Sequence, residues 1–402
     1  MNKASKALKV IECIQKVIGK SSYENNIPLH EPFFKNTNAF EYTKNCIDSG
    51  WVSSNGKWVK AFEEEISHYT NSKHTIALSN GTDALRLALH CVGVSHGDEV
   101  ILPPFTFVAT ANAVAHLGAI PNFLDIEENN LGLSPEILEE NLQKIVIQRE
   151  NCSYNKFTGN KISAIIAVHV FGFPARILDL KKISDKWGIP LIEDSAEALG
   201  SWTLSKSNKT HCGLIGDAGI LSFNGNKIIT TGGGGALITN NSNIAKKARH
   251  LSTTAKLSHP WEFLHDEIGW NDRLPNINAA LGVSQLEVLK ERLELKKKLK
   301  LNYEESFMNF EDVEILNPGK NSQTNNWLIS IRLSNLKSKE ARETRDLILK
   351  LGFEKGILMR PAWEPLHNLP MYKNHALESL YTAEDQFSRI INLPSSPQIL
   401  LS

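Results

Sequence analysis

The sequence predicts an α/β protein. It has a mostly parallel central sheet covered by helices on both faces, and a smaller α/β unit at the C-terminal end. Three observations carry this. From about residue 74, short apolar runs alternate with helical patterns. The runs are continuously apolar, as strands buried on both faces are. A charged helical stretch, residues 276–305, then separates them from residues 306–402.

Taken in order, residues 3–20 read as a basic amphipathic helix. Ala7, Ile11, Ile14 and Ile18 form its stripe, and Lys3, Lys6, Lys9, Lys16 and Lys20 lie off it. Residues 1–27 are expected to be an arm packed on its own subunit or a neighbour; lying on a membrane surface is the alternative. Gly19-Lys20-Ser21 is not a phosphate loop, because Ile14 stands where the first glycine of that motif belongs. Residues 28–275 form the expected large domain. Its strands are His74–Leu78, Glu99–Leu102, Ile120–Leu124, Ala164–Val168, Ile189–Ile192, Gly219–Ser222 and Ala236–Thr239. Helices are expected over Thr82–Cys91 and Thr106–Leu117, and another opens at Ser134-Pro135, with serine as N-cap and proline at the first position. Residues 276–402 comprise the linker and the small domain. The linker reads as one long helix whose Lys296-Lys297-Lys298 run is a solvated face.

Composition excludes several classes. The 44 basic residues balance 44 acidic ones, which argues against nucleic-acid binding. No run approaches the ~20 apolar residues of a membrane span. The five cysteines are scattered and form no CxxC, which points to a reducing cytoplasm and away from disulfides or a structural metal.

Sheets of this kind bind ligands beyond the carboxyl ends of their strands, and the chemically suggestive residues fall there. Lys227 closes the segment Ser222-Phe223-Asn224-Gly225-Asn226-Lys227, and Gly232 to Gly235 follow. Thirty-three residues upstream, a strand ends in Glu193-Asp194. An amine on a Gly-rich turn, an acid at a strand end and a hydroxyl five residues before the lysine are the parts that hold pyridoxal 5'-phosphate (PLP). The lysine can form a Schiff base, and Asp194 can keep the pyridine nitrogen protonated. Glu197, one helical turn on, is placed to reach the cofactor's phenolic oxygen. Gly81, Thr82 and Asp83, in Asn80-Gly81-Thr82-Asp83, read as a phosphate cup at a helix start, with an ordinary turn and cap as the competing reading. Ser222 is a further phosphate donor. Phe107 is placed to stack on the pyridine ring, against a default of core packing. His169, beyond another strand end, is a contact to substrate or cofactor, or a structural histidine. Arg360 offers a fork-shaped cation to a diphosphate or nucleotide edge, or else a salt bridge between domains.

Together these residues resemble the sugar-nucleotide aminotransferases of the DegT/DnrJ/EryC1/StrS family, which have the aspartate aminotransferase fold (PLP fold type I). The resemblance runs from about Pro28 to Pro397. It includes Ser53-Ser54-Asn55-Gly56-Lys57, Asn80-Gly81-Thr82, Gly97-Asp98-Glu99-Val100, Glu193-Asp194, Ser222 with Lys227, and Gly269-Trp270-Asn271-Asp272-Arg273. It implies that Lys227 carries the cofactor, that Asp194 pairs with the ring nitrogen and that Phe107 stacks. It also implies that Ser222, with Asn271 from a partner subunit, binds phosphate, and that Trp51-Val52-Ser53-Ser54 lies near the partner's cofactor. The protein is then a homodimer with shared active sites.

Two departures stand out: Glu197 where the family often has glutamine or histidine, and Gly232-Gly233-Gly234-Gly235 where a Gly-Glu-Gly-Gly is usual. Within the family the chain looks closest to 4-aminotransferases of legionaminic-acid-type nonulosonate pathways. Leu29-His30-Glu31-Pro32, Gly50 to Ser54, Trp261-Glu262-Phe263, His265 to Gly269 and Met359-Arg360-Pro361 carry that likeness. It implies a nucleotide-linked 2-acetamido-2,6-dideoxy-4-ketohexose as acceptor, on a uridine or guanosine carrier, and glutamate as donor. The alternatives are another PLP-dependent sugar aminotransferase, a dehydratase or isomerase, and a PLP-binding regulator without turnover. Lys227 argues against the dehydratase, which has histidine there.

Overall fold

The computed structural model describes residues 2–19, 26–150, 152–205, 208–319 and 321–401. Lys20 and Ser21 of the N-terminal segment lie outside them.

A seven-stranded sheet forms the centre. Its order is His74–Leu78, Gly235–Thr239, Ala218–Ser222, Leu191–Asp194, Ile162–Val168, Glu99–Leu102 and Ile120–Phe123. All pairings are parallel except those of Gly235–Thr239, which runs antiparallel to both neighbours. The sheet is therefore mostly parallel, as its apolar strands require. Alternate residues of Ile162–Val168 serve two cores: Ala164, Ile166 and Val168 pack on one face, and Ile165 and Ala167 on the other. Helices Gly81–Cys91 and Ser242–Leu251 cover the first face, and Pro135–Ile145 and Ile177–Trp187 the second.

Three expectations need correction. Residues 276–305 are not one helix. They divide into Asn276–Leu286 and a second helix, Leu289–Phe307, which runs past 305. The first packs beside Phe62 and Ile66 of the central unit. The second starts in that same cluster with Leu289 and continues with Leu299, Tyr303 and Phe307 into the core under the small sheet. The helix is interrupted at Val288, whose φ −108° and ψ 5° depart from helical geometry. Lys296 is not on a solvated face either: it is completely buried. The helix around Phe107 starts later, at Ala109, so Phe107 belongs to the loop before it.

The small sheet is antiparallel, in the order Val313–Ile315, Ile329–Leu333, Ile390–Leu393, Arg360–Pro361. The N-terminal helix Lys3–Ile18 belongs to this core. Ala7, Ile11, Ile14 and Ile18 pack with Leu299, Tyr303, Ile331 and Ile348. Lys6, expected off the stripe, is buried and paired with Asp312 at 3.0 Å.

Candidate active site

The carboxyl ends of strands Leu191–Asp194, Ile162–Val168 and Ala218–Ser222 open into a cavity of about 330 Å³. Gly81, Thr82, Phe107, His169, Asp194, Glu197, Ser222 and Lys227 all line it. Residues from five separate sequence segments thus meet, because parallel strands all deliver their following loops to one edge.

The amine is held from two sides. Lys227 Nζ lies 3.1 Å from Glu197 Oε1 and 4.2 Å from the centroid of the Trp327 ring. Glu197 is buried, and its Oε2 accepts the Phe171 N–H at 2.9 Å. Phe171 takes a left-handed conformation, φ 55°, that aims this N–H at the carboxylate. Burial raises the Glu197 pKa, against the opposing pull of Lys227 and the Phe171 amide.

Asp194 lies deeper. It accepts from Thr110 Oγ1 at 2.8 Å and from the Ala196 N–H at 3.2 Å. Burial raises its pKa above the ordinary carboxyl value, because these two donors and Lys227 compensate only partly. A protonated pyridine nitrogen supplies the missing cationic donor, so the residue fits the cofactor's ring.

The phosphate end fits as well. Helix Gly81–Cys91 is capped by Asn80, whose side chain accepts the Asp83 N–H at 2.8 Å. A Cβ on Gly81 would stand 3.0 Å from Ser222 Cβ, so glycine keeps the helix start and Ser222 together around one small hollow. A Cβ on Gly235 would stand 2.4 Å from the Asn80 backbone, and Gly232 has φ +81°. Gly233, by contrast, has open space, so nothing steric excludes the family's glutamate there.

Asp83 does not belong to this cup. Its N–H is used by the cap, and its carboxylate accepts from Ser79 and Asn80 and pairs with Arg86 at 3.3 Å. An acid facing a phosphate would repel it, and the cap network turns this one aside.

His169 lines the cavity, yet both of its nitrogens are engaged inside the protein. Nε2 is 2.9 Å from Glu193 Oε2, and Nδ1 accepts the Ala175 N–H at 3.1 Å. Burial opposes charge on the ring while Cys212 and Glu193 favour it and raise its pKa overall. The Ala175 amide nevertheless needs a lone pair at Nδ1, so the hydrogen bonds hold the neutral tautomer with hydrogen on Nε2. A polar contact from His169 to a sugar nucleotide is therefore unavailable.

Trp51, Asn271 and Arg360 do not line this cavity in their own chain. Trp51 is 57% exposed beside a separate hollow that includes Trp58 and Asn276. Asn271 and Arg360 are exposed. Arg360 makes no ion pair among the described residues, so the interdomain salt bridge is not formed.

Among the lining residues that sequence reasoning does not assign to the site are Thr110, Asn226, Trp327 and Trp363. Thr110 had a findable signal, since it lies three residues beyond Phe107 in the same segment. Trp327 and Trp363 come from the C-terminal part of the chain, and no local pattern links them to the site.

With this geometry in view, the comparisons with known proteins are specific. A sequence model of the DegT/DnrJ/EryC1/StrS aminotransferase family matches residues 35–401. The chain is 34% identical over 372 residues to the GDP-perosamine synthase of Vibrio cholerae, covering 92% of this chain and 94% of that one. Helicobacter pylori PseC, an aminotransferase involved in the biosynthesis of pseudoaminic acid, superposes with a TM-score of 0.80 at 25% identity, covering 92% and 93% of the two chains. The PLP form of Spr1654 from Streptococcus pneumoniae does so with a TM-score of 0.79 at 25% identity, covering 92% and 93%. The chain belongs to the DegT/DnrJ/EryC1/StrS family: it is a PLP-dependent sugar-nucleotide aminotransferase of fold type I.

Proposed function

We propose that this aminotransferase moves an amino group from glutamate to C4 of a nucleotide-linked 2-acetamido-2,6-dideoxy-4-ketohexose, in the biosynthesis of a legionaminic-acid-like nonulosonate or a related surface glycan. The observation that carries the site assignment is one cavity holding the Lys227 amine, the incompletely satisfied Asp194 carboxylate and the Gly81–Ser222 hollow. The motifs around Trp51, Trp261 and Arg360 support the acceptor class. The relatives' names support it in outline, one being a synthase of a GDP-linked product and another an enzyme of pseudoaminic acid biosynthesis.

When bound, PLP supplies the electron sink that lets a proton leave the carbon bearing the amine. The protein's residues do the rest. The helix start at Gly81–Thr82 and the Ser222 hydroxyl hold phosphate. Phe107, 52% exposed at the cavity wall, covers one ring face. Asp194 keeps a proton on the ring nitrogen. With the cofactor held there, Lys227 Nζ would be the group that takes the proton from the donor's α-carbon and hands it on, and the same amine would serve the keto sugar in the second half-reaction.

The chain divides into a cofactor-binding unit, residues 28–275, and a small unit, residues 276–402, on which helix Lys3–Ile18 of the N-terminal arm packs. Asn271 and Trp51 serve the cavity of a second copy. Exposure of Trp261 (78%), Phe263 (80%) and Ile268 (89%) supports a covered face around the Asn271 segment. Sedimentation with activity measured in the same fractions tests the dimer; a fully active monomer refutes it. Scattered cysteines, all five free, support a cytoplasmic enzyme; among the described residues no helix is long and apolar enough to cross a membrane.

The deciding experiment is incubation with glutamate and each of the UDP- and GDP-linked 4-keto sugars, with NMR of the product. A 4-amino sugar is expected. A 3-deoxy product, or none with any acceptor, overturns the reading.

A further inference from the structure

We infer that Trp327 is a positioning residue for the Lys227 amine, and that the buried Lys296 holds Trp327 in place. The inference rests on Lys227 being the reactive amine, and it deepens that assignment.

Trp327 comes from the C-terminal part of the chain, just before strand Ile329–Leu333, and is almost completely buried. Its ring reaches the central unit, where Lys227 Nζ stands 4.2 Å from its centroid. Three contacts fix it. The indole Nε1–H donates to the carbonyl of Asn226, the residue before Lys227, at 2.7 Å. Its backbone N–H donates to Asn325 Oδ1 at 2.8 Å. Asn325 in turn donates to the backbone carbonyl of Glu197 at 2.8 Å, and Glu197 is the amine's ion-pair partner. The indole is thus registered to both neighbours of the amine.

The third contact is the unusual one. Lys296 Nζ donates to the Trp327 carbonyl at 3.0 Å and to the Ser395 carbonyl at 2.6 Å. Lys296 is completely buried on helix Leu289–Phe307 and has no carboxylate partner among the described residues. Burial pushes its pKa well below the ordinary lysine value. A methionine would fill the same volume without that cost. What lysine adds is a donor to two carbonyls at once, one before a strand of the small sheet and one after another. It fixes where Trp327 leaves the small sheet, and hence where the ring lies.

An amine on a four-carbon stem needs such restraint. It must reach one carbon atom repeatedly, and a misplacement of about 1 Å costs on the order of a hundredfold in rate. A ring face attracts the ammonium without forming a hydrogen bond that has to break before transfer.

The test uses Trp327→Leu, Trp327→Phe and Lys296→Met, with three readouts. These are the rate at which the apoenzyme captures PLP covalently (visible absorbance, with borohydride trapping), the single-turnover rate with glutamate, and the KM for keto sugar. Trp327→Leu is expected to slow covalent capture and single turnover on the order of tenfold, with KM within about twofold. Trp327→Phe, which keeps a ring face, restores most of the rate. Lys296→Met slows the same steps a few-fold, and adds less than about twofold in the Trp327→Leu background. Lys296→Gln replaces it in the same design if the methionine variant does not fold. A raised KM with unchanged capture makes Trp327 a substrate wall and overturns the inference. Parallel losses of melting temperature and of every rate in both Trp327 variants make it packing only. Additive loss in the double variant removes Lys296 from the argument. Lys227→Ala is the control: persistent covalent capture there refutes the Lys227 assignment itself, whatever Trp327 does.

Discussion

Glu193 and Asp194 are consecutive residues at one strand end, and both are buried, but their carboxylates face opposite sides of the sheet's edge. Glu193 accepts four hydrogen bonds: from His169 Nε2 and from the N–H groups of Gly213, Ile215 and Gly216. Burial pushes its pKa up, but His169 and the glycine amides outweigh this and bring it below the ordinary value. Asp194 receives two hydrogen bonds, burial prevails, and its pKa is raised. The difference separates two kinds of buried acid. A carboxylate saturated by its own protein is holding the protein together. One left with open capacity at a cavity wall is waiting for a ligand.

The comparison breaks first at the amine that shares the cavity with Asp194. Lys227→Ala is expected to lower transamination at least about a thousandfold while leaving PLP binding measurable, because phosphate and ring contacts remain. Turnover near the wild-type rate would remove the site assignment. Asp194→Asn should bind PLP and lose on the order of a hundred- to a thousandfold in kcat, since an amide cannot keep a proton on the ring nitrogen. A two- or threefold loss would mean that another group pairs with the ring.

Glu193→Gln should do the opposite. It puts an NH₂ group among N–H donors, and about 2–4 kcal/mol of stability should go. Calorimetry should show a melting temperature lower by several degrees, with the residual folded enzyme still turning over. A stable but inactive variant would reverse the roles of the two acids.

Proton linkage sharpens the contrast. The raised pKa of Asp194 means that the folded apoenzyme binds that proton more tightly than the unfolded chain. Its contribution to stability is present at low pH and is lost as pH rises from the unfolded pKa through the raised one. Glu193, with a lowered pKa, contributes above its unfolded pKa and loses that contribution as pH falls through the folded one. Melting curves of wild-type and Asp194→Asn apoenzyme from about pH 4 to pH 8 should therefore diverge, the variant declining less as pH rises. Parallel curves would show that Asp194 does not titrate as its surroundings demand.

The smallest effect is expected away from both acids. Arg360→Ala should raise the sugar's KM a few-fold and leave the single-turnover rate with glutamate nearly unchanged. Equal losses in both half-reactions would assign Arg360 a structural role.

What the sequence determined by itself is the sheet and the floor of the site. Continuous apolar strands specify burial on both faces, and a parallel arrangement then sends every following loop to one edge. That logic brought Gly81, Thr82, Phe107, Asp194, Glu197, Ser222 and Lys227 together before any coordinates were needed. Each is identified by something local: a cap, a strand end, a glycine-rich turn. Tertiary structure decided what local pattern does not encode. Asp83 belongs to the cap network because Ser79, Asn80 and Arg86 take up its carboxylate. His169 turns both nitrogens inward because Glu193 and Ala175 meet it there. Lys296 lies in a run of three lysines that reads as solvated, yet the fold buries it against two carbonyls from residues 31 and 99 positions away in sequence. Trp327 lies 100 positions beyond Lys227 and touches it all the same. Periodicity and motif spacing report on neighbours within a few turns of chain. Whether a polar side chain is spent or left open depends on partners that only packing brings within hydrogen-bonding distance.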